Sequence, residues 1–210
     1  MLYNFVRWII SFIIIGIVLL IIKKSPLKKH SIISKAIPII VAVIFFSQWN
    51  IPFENYIYSF PSLEKSFNYC NTDKHVEILT VFEEKSSGIV LYESENGYAN
   101  YIALKTDDGW KISNVKTYNI ECVKTENNYT MVVYHIKNTD ERYILISADF
   151  IDPTAKITDS KGNIFKYVED TDDLFKHTTY FHCYSGNDFD YTVYINGEKV
   201  ELKLNNPKSE

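Results

Sequence analysis

The sequence predicts two N-terminal transmembrane helices followed by a mainly β extracytoplasmic domain, β-sandwich-like and carrying one short helix. Three observations predict it. The first fifty residues hold no Asp or Glu and six of the 22 Lys and Arg residues; all 26 acids therefore lie beyond Asn50, where the other 16 Lys and Arg leave a net charge of −10. Two apolar runs flank the lysine-rich connection Lys23-Lys24-Ser25-Pro26-Leu27-Lys28-Lys29-His30. From Lys74 onward apolar and polar residues alternate with period two between short turn signals, the pattern of half-buried strands.

The first run, Trp8 to Ile22, is interrupted only by Ser11 and Gly16. Counted from Leu2, it is long enough at ~1.5 Å per residue to cross a hydrocarbon layer ~30 Å thick. Arg7 lies one turn from its start and can snorkel to the headgroups, while Tyr3 and Trp8 suit the interface. The second run, Ile32 to Phe46, reaches spanning length from Ser31 to Trp49, with Pro38 kinking or starting that helix. A cleaved secretory signal fits poorly, because Leu19-Leu20-Ile21-Ile22 leads straight into lysines with no small-x-small site. No lipobox cysteine is present either, since the first Cys is Cys70. Lys23, Lys24, Lys28, Lys29 and Lys35 between the runs place the connection in the cytoplasm by the positive-inside rule. The expected location is the cell membrane, multi-pass with two spans and both termini extracytoplasmic.

Residues 50–61, with Pro52, Asn55 and Pro61 among aromatics, read as a membrane-proximal stalk or docking segment. Ser62 then caps a helix with Glu64 in its first turn and Leu63, Phe67 and Cys70 on one stripe. Strands are expected over Val76–Phe82, Gly88–Tyr92, Tyr98–Leu104, Trp110–Ile112, Tyr118–Val123, Tyr129–Ile136, Tyr143–Ile151, Ile164–Val168, Thr179–Tyr184, Tyr191–Ile195 and Val200–Leu204. Asn96-Gly97, Asp107-Asp108-Gly109 and Asn196-Gly197 are the strongest hairpin signals among the turns. The organisation expected is 1–49 anchor, 50–61 stalk, 62–116 small α+β subdomain, 117–205 β-sandwich-like subdomain and 206–210 tail. A single twisted β domain over 62–205 is the alternative. Trp110, following a turn and opening a strand, is the expected core anchor of the first subdomain.

No reactive constellation stands out. The five His and three Cys contain no pair at zinc-ligand spacing, and adjacent His182 and Cys183 fall on opposite faces of a strand. No metal and no cofactor are therefore expected. No Gly-x-Ser-x-Gly elbow and no phosphate-cradling glycine cluster occurs, so no catalytic residue is assigned. Glu169-Asp170-Thr171-Asp172-Asp173 has the composition of a calcium loop without its spacing. A domain at −10 repels nucleic acid, which is excluded as a partner. An odd number of cysteines leaves one disulfide plus a thiol, or three thiols, both open.

Aromatics remain. Sixteen Tyr are present, with dense aromatic groups at Tyr92, Tyr98 and Tyr101 and at Tyr180, Phe181, Tyr184, Phe189, Tyr191 and Tyr194. Exposed Tyr on a sheet is common material for an interaction surface, and Tyr180, Tyr184, Tyr191 and Tyr194 are the candidate ligand- or partner-binding residues. The bland alternative is that each simply fills a strand position that favours aromatics.

The order Pro61-Ser62-Leu63-Glu64-Lys65-Ser66-Phe67, then Gly97-Tyr98 and Asp108-Gly109-Trp110-Lys111-Ile112, resembles small uncharacterised membrane-anchored extracytoplasmic proteins of Gram-positive bacteria. The resemblance covers roughly residues 61–116 and implies an envelope protein whose anchor precedes a short helix and a β-rich domain. It brings no catalytic residue with it. The expected function is a membrane-anchored extracytoplasmic binding or sensing domain. Its partners are the lipid bilayer and another envelope protein or a surface polymer. An envelope hydrolase with a site assembled across loops, and a structural envelope protein, are the alternatives.

Overall fold

The computed structural model describes residues 2–24, 43, 52, 54–95, 97–114, 117–126, 129–149, 154–168, 178–185 and 190–203. Nearly all of the second apolar run, the acidic stretch 169–173, His177 and the tail lie outside the described residues. For 178–185 the backbone alone is described. The fold is mainly β, with twelve strands in three antiparallel sheets among the described residues.

Helix α1 (Leu2–Lys24) comes first. Among the described residues no helix is long and apolar enough to cross a membrane. The two-span expectation therefore gains no support from the described helices. A short helix α2 (Glu54–Ile57) follows, then α3 (Leu63–Cys70). Ser62 caps α3 as its spacing predicts, its side chain accepting from the Lys65 N–H at 3.2 Å. Leu63 and Phe67 form the buried stripe.

Sheet A is a meander, β1 (Val76–Glu83), β2 (Ser87–Ser94), β3 (Gly97–Thr106) and β4 (Gly109–Lys111), each strand paired with the next. Period-two alternation gives it two apolar faces. On one, Val90, Ala103, Trp110 and Ile112 pack under Leu63 and Phe67 of α3 together with Phe60. Trp110 is 3% exposed, the core anchor expected from the sequence. Gly88 makes that contact possible: a Cβ there would lie 2.5 Å from Leu63 Cδ2 and 2.8 Å from Trp110 Cη2. On the other face Ile89, Leu91 and Ile102 pack against sheet B.

Sheet B runs β5 (Tyr118–Glu126), β6 (Tyr129–Ile136), β7 (Arg142–Asp149), β10 (Thr178–Ser185), β9 (Lys166–Val168) in spatial order. Ile136, Tyr143 and Val168 meet sheet A. Met131, Val133, Ile144 and Ile146 face the other way, onto sheet C. Sheet C is β12 (Glu198–Lys203), β11 (Asp190–Ile195) and β8 (Ile157–Asp159), and contributes Ile157, Tyr191, Val193, Ile195 and Val200. The layers are thus helix, sheet A, sheet B, sheet C, with sheets B and C forming the sandwich. Sheet A draws its strands from 76–111, and sheets B and C draw theirs from 118–203.

Register shifts at Ile78/Thr80 in β1 and at Ile120/Cys122 in β5 break the alternation. Such irregularities exchange which parity faces inward. Accordingly Ile78 and Val81 share one face of sheet A while Leu79 and Phe82 share the other. The sequence reading missed β8, whose three residues are too few to show a period, and began β9 too early. Ile164 only bridges Thr158 and is 71% exposed.

Of the two readings of this segment, stalk or docking segment, the contacts of residues 54–60 favour docking. Phe60 exchanges both backbone hydrogen bonds with Trp110 at 2.8 Å. Asn55 does the same with Ile112 through its side chain, Oδ1 accepting at 2.7 Å and Nδ2 donating at 2.9 Å. The segment is thereby tied to the β4 edge of sheet A.

Candidate functional site

The two β layers of residues 76–168 separate at one end and leave a cleft of about 110 Å³. Leu79, Leu91, Val132, Leu145 and Val168 line it with Tyr98, Ala99, Asn100 and Ser147. Strand parity explains the lining. Asn100 stands two residues before Ile102 on β3, and Ser147 two residues after Leu145 on β7, so both are polar positions on apolar, inward faces. Asn100 Nδ2 donates to the Tyr134 hydroxyl at 2.9 Å, and Ser147 Oγ to the Thr130 carbonyl at 3.4 Å. Burial raises the Tyr134 phenol above its ordinary value, against the lowering effect of the Asn100 hydrogen bond. The described lining contains no His, Cys, Asp, Glu, Lys or Arg. The described lining offers an apolar enclosure with amide and hydroxyl groups.

A second, wide-open concavity of about 520 Å³ lies along Lys74 to Glu77 and Glu93 to Glu95. His75 approaches Glu95 there at 3.6 Å, both largely exposed. Two buried polar clusters lie away from the cleft. Arg142 Nε and Nη2 donate to Glu121 at 2.9 and 3.2 Å, and His135 Nδ1 lies 3.1 Å from the same carboxylate. Its Nε2 meets the Thr139 carbonyl at 2.9 Å, closing the β6–β7 turn. Beside it Glu141 accepts from the Ser86 N–H at 2.8 Å and from Ser87 Oγ, which also lies 2.9 Å from the Tyr143 hydroxyl. This pins the β1–β2 turn of sheet A to sheet B. Ser87 is fully buried and its acceptor is a carboxylate, so it has the geometry of a structural clamp. Among the described residues no group of three or more His, Cys, Asp or Glu could hold a metal ion.

The four candidate tyrosines do not form one surface. Tyr180 pairs with Ser147 on one side and Val168 on the other, so its register position lies between two cleft-lining residues. Tyr184 pairs with Tyr143, two places further along the same row. Tyr191 is 1% exposed in the core between sheets B and C, its hydroxyl donating to Asp159, which removes it from any surface role. Tyr194 alternates with it and is half-buried in sheet C. Of the four, Tyr180 alone pairs with cleft-lining residues, and His182, paired with Leu145, shares its row. The other lining residues escaped the sequence reading, although Asn100 and Ser147 carried a signal, each being polar on an otherwise apolar parity.

Cys70 and Cys122 are free thiols. Cys122, Val133, Ile144 and Cys183 follow one another across sheet B, putting about 14 Å between the first and last. A disulfide needs Cα atoms within about 7 Å, so these two cannot pair. Burial pushes the Cys70 thiol up to about 12, with the Tyr101 hydroxyl 3.8 Å away.

No family model matches the chain, and no curated protein or solved structure matches it significantly. The class the fold defines is a layered α/β/β/β protein with a small apolar cleft between its first two sheets.

Proposed function

We propose that the chain is a membrane-anchored extracytoplasmic binding or sensing domain that takes up a small apolar group in the cleft between sheets A and B. The observation that carries the anchor is the surface of α1. Phe5, Phe12, Ile13, Ile17, Leu19 and Leu20 are each more than half exposed, with Trp8 and Ile9 close behind. A helix on a water-soluble domain turns its apolar stripe inward, and a contiguous exposed apolar surface marks a partner or a membrane. The acid-free N-terminal region and its lysine connection fit lipid as that cover. A two-span hairpin with both termini outside is further supported by a contact. Arg7, near the start of α1, lies 3.5 Å from Glu54, beyond the second run. A hairpin brings those two positions to the same membrane face, and a single span would part them.

Binding is supported by the cleft's described lining, in which Leu79, Leu91, Val132, Leu145 and Val168 surround a few amide and hydroxyl groups. Its size is below the ~150 Å³ that encloses a benzene molecule and well below the ~300–1,000 Å³ of drug-sized sites. The occupant that fits is a single apolar group, such as one side chain of an envelope partner or the end of a lipid-like chain. Xenon is a suitable probe. In proteoliposomes, xenon pressure should shift the methyl resonances of Leu79, Leu91, Val132, Leu145 and Val168 ahead of others, and Val132→Phe should abolish the effect. Shifts confined to other methyls would sink the cleft as the site. Orientation is tested with impermeant maleimide on intact cells, in single-Cys variants lacking Cys70, Cys122 and Cys183: Ser160→Cys should label and Ser25→Cys should not until the membrane is opened, and the reverse pattern would sink the topology.

A further inference from the structure

Among the described residues, Tyr56 and Ile57 are the most exposed large apolar side chains, and Tyr58 beside them is also exposed. Tyr56 is 81% exposed, Ile57 82% and Tyr58 54%. Loose connections often expose such residues, but this one is held on both sides. The Asn55 side chain closes a two-bond ring with the Ile112 backbone. Lys111 Nζ donates to the carbonyls of Asn55 at 2.7 Å and Tyr58 at 3.2 Å. The Tyr58 N–H bonds the Glu54 carbonyl at 2.7 Å, and its ring meets Phe60 edge-on with centroids 4.9 Å apart. The backbone is therefore fixed to the edge of sheet A while three uncharged side chains project from it.

The only charged residue in the stretch 50–60 is Glu54, and it is turned away from solvent. It pairs with Arg7 of α1 and accepts a hydrogen bond from the Tyr69 hydroxyl of α3 at 3.3 Å. Tyr-Ile-Tyr is thus level with the first turns of α1, where Phe5, Trp8 and Ile9 are also exposed. Tyr and Trp concentrate at this depth in membrane proteins, their rings among the headgroups and acyl ends.

We infer that Tyr56, Ile57 and Tyr58 form a membrane-seating surface that inserts into the headgroup region of the extracytoplasmic leaflet, a reading that rests on the anchor proposed above. The Arg7–Glu54 pair and the clamps of Asn55 and Lys111 then hold sheet A at a fixed attitude to the bilayer instead of on a free tether. At −10 the region beyond Asn50 gains nothing from anionic lipid, so the seat is apolar and works on zwitterionic phosphatidylcholine.

The test places the photocrosslinking residue p-benzoylphenylalanine at position 56 or 58 of the full chain, reconstituted in phosphatidylcholine liposomes, with the same residue at exposed Lys161 as control. Irradiation should add the mass of one phosphatidylcholine at 56 or 58 and none at 161. Crosslinking to a second copy of the chain, or no lipid adduct while the protein resists carbonate extraction, would overturn the seat and leave the anchor standing. Release of the protein by carbonate would overturn the anchor reading and the seat with it.

Discussion

Asp159 is the residue whose environment makes the sharpest prediction. It ends β8 and is 4% exposed. Burial alone would raise its carboxyl, but donors from the Tyr191 hydroxyl, the Asn163 amide at 2.7 Å and the Asn163 and Lys161 N–H groups at 2.8 and 2.9 Å outweigh it. The folded carboxyl is therefore held below its ordinary 3.8. A depressed folded value means that the unfolded chain takes up the proton first as pH falls. The stability this group supplies is fully present above the unfolded value and is lost on acidification through the folded one. Asp159→Asn should cost about 2–3 kcal/mol at neutral pH, since hydrogen bonds to a charged acceptor exceed those to a neutral one. It should also lose less stability than the parent between pH 5 and pH 3. Urea titrations across that range check it, and identical pH slopes for variant and parent would contradict the account.

At the scale of elements, α3 and β2 depend on a missing side chain. Gly88→Ala would drive a methyl into Leu63 and Trp110 and to 3.0 Å from the Phe82 carbonyl oxygen. Overpacking of this kind costs roughly 1–3 kcal/mol. The Leu63 end can swing but the indole and the backbone cannot, so a measured denaturation midpoint should fall clearly; a loss under about 0.5 kcal/mol would mean that α3 rides loosely on sheet A. The sequence announced much of this level. Ser62, Glu64 and the Leu63/Phe67 stripe fixed α3 locally, and Asn196-Gly197, at φ 52° and 89°, marked the β11–β12 turn. What local pattern could not announce were contacts made by distant segments. Alternation shows that Asn100 faces inward but not that Val132 and Leu145 arrive opposite it. Glu141 looks like a turn acid until sheet A places Ser86 and Ser87 against it. Tyr191 and Tyr194 are alike in sequence, and only the packing of sheet C on sheet B makes one core and leaves the other half-exposed.

The same long-range packing decides how the whole molecule folds. The strands of sheet A and those of sheets B and C come from successive stretches of chain, which suggests two separable units. Ile89, Leu91 and Ile102, however, are 0%, 7% and 1% exposed because sheet B covers them, and Ile136, Tyr143 and Val168 are buried in return. Burying a large apolar side chain contributes about 1.5–3 kcal/mol, so the three sheet A residues alone account for roughly 5–9 kcal/mol. That rivals the ~5–15 kcal/mol net stability of an ordinary domain. The buried Glu141 bridge to Ser86 and Ser87 adds polar groups that lose their partners if the sheets part. A fragment of residues 59–116 should therefore fail to fold by itself, whereas 59–204 should give a β-dominated circular dichroism spectrum and one cooperative unfolding transition. Two resolved transitions in the longer fragment, or a folded 59–116, would show that the face between sheets A and B is a docking contact between independent units. The cleft at its end would then be the gap between two units, open to change with their relative position.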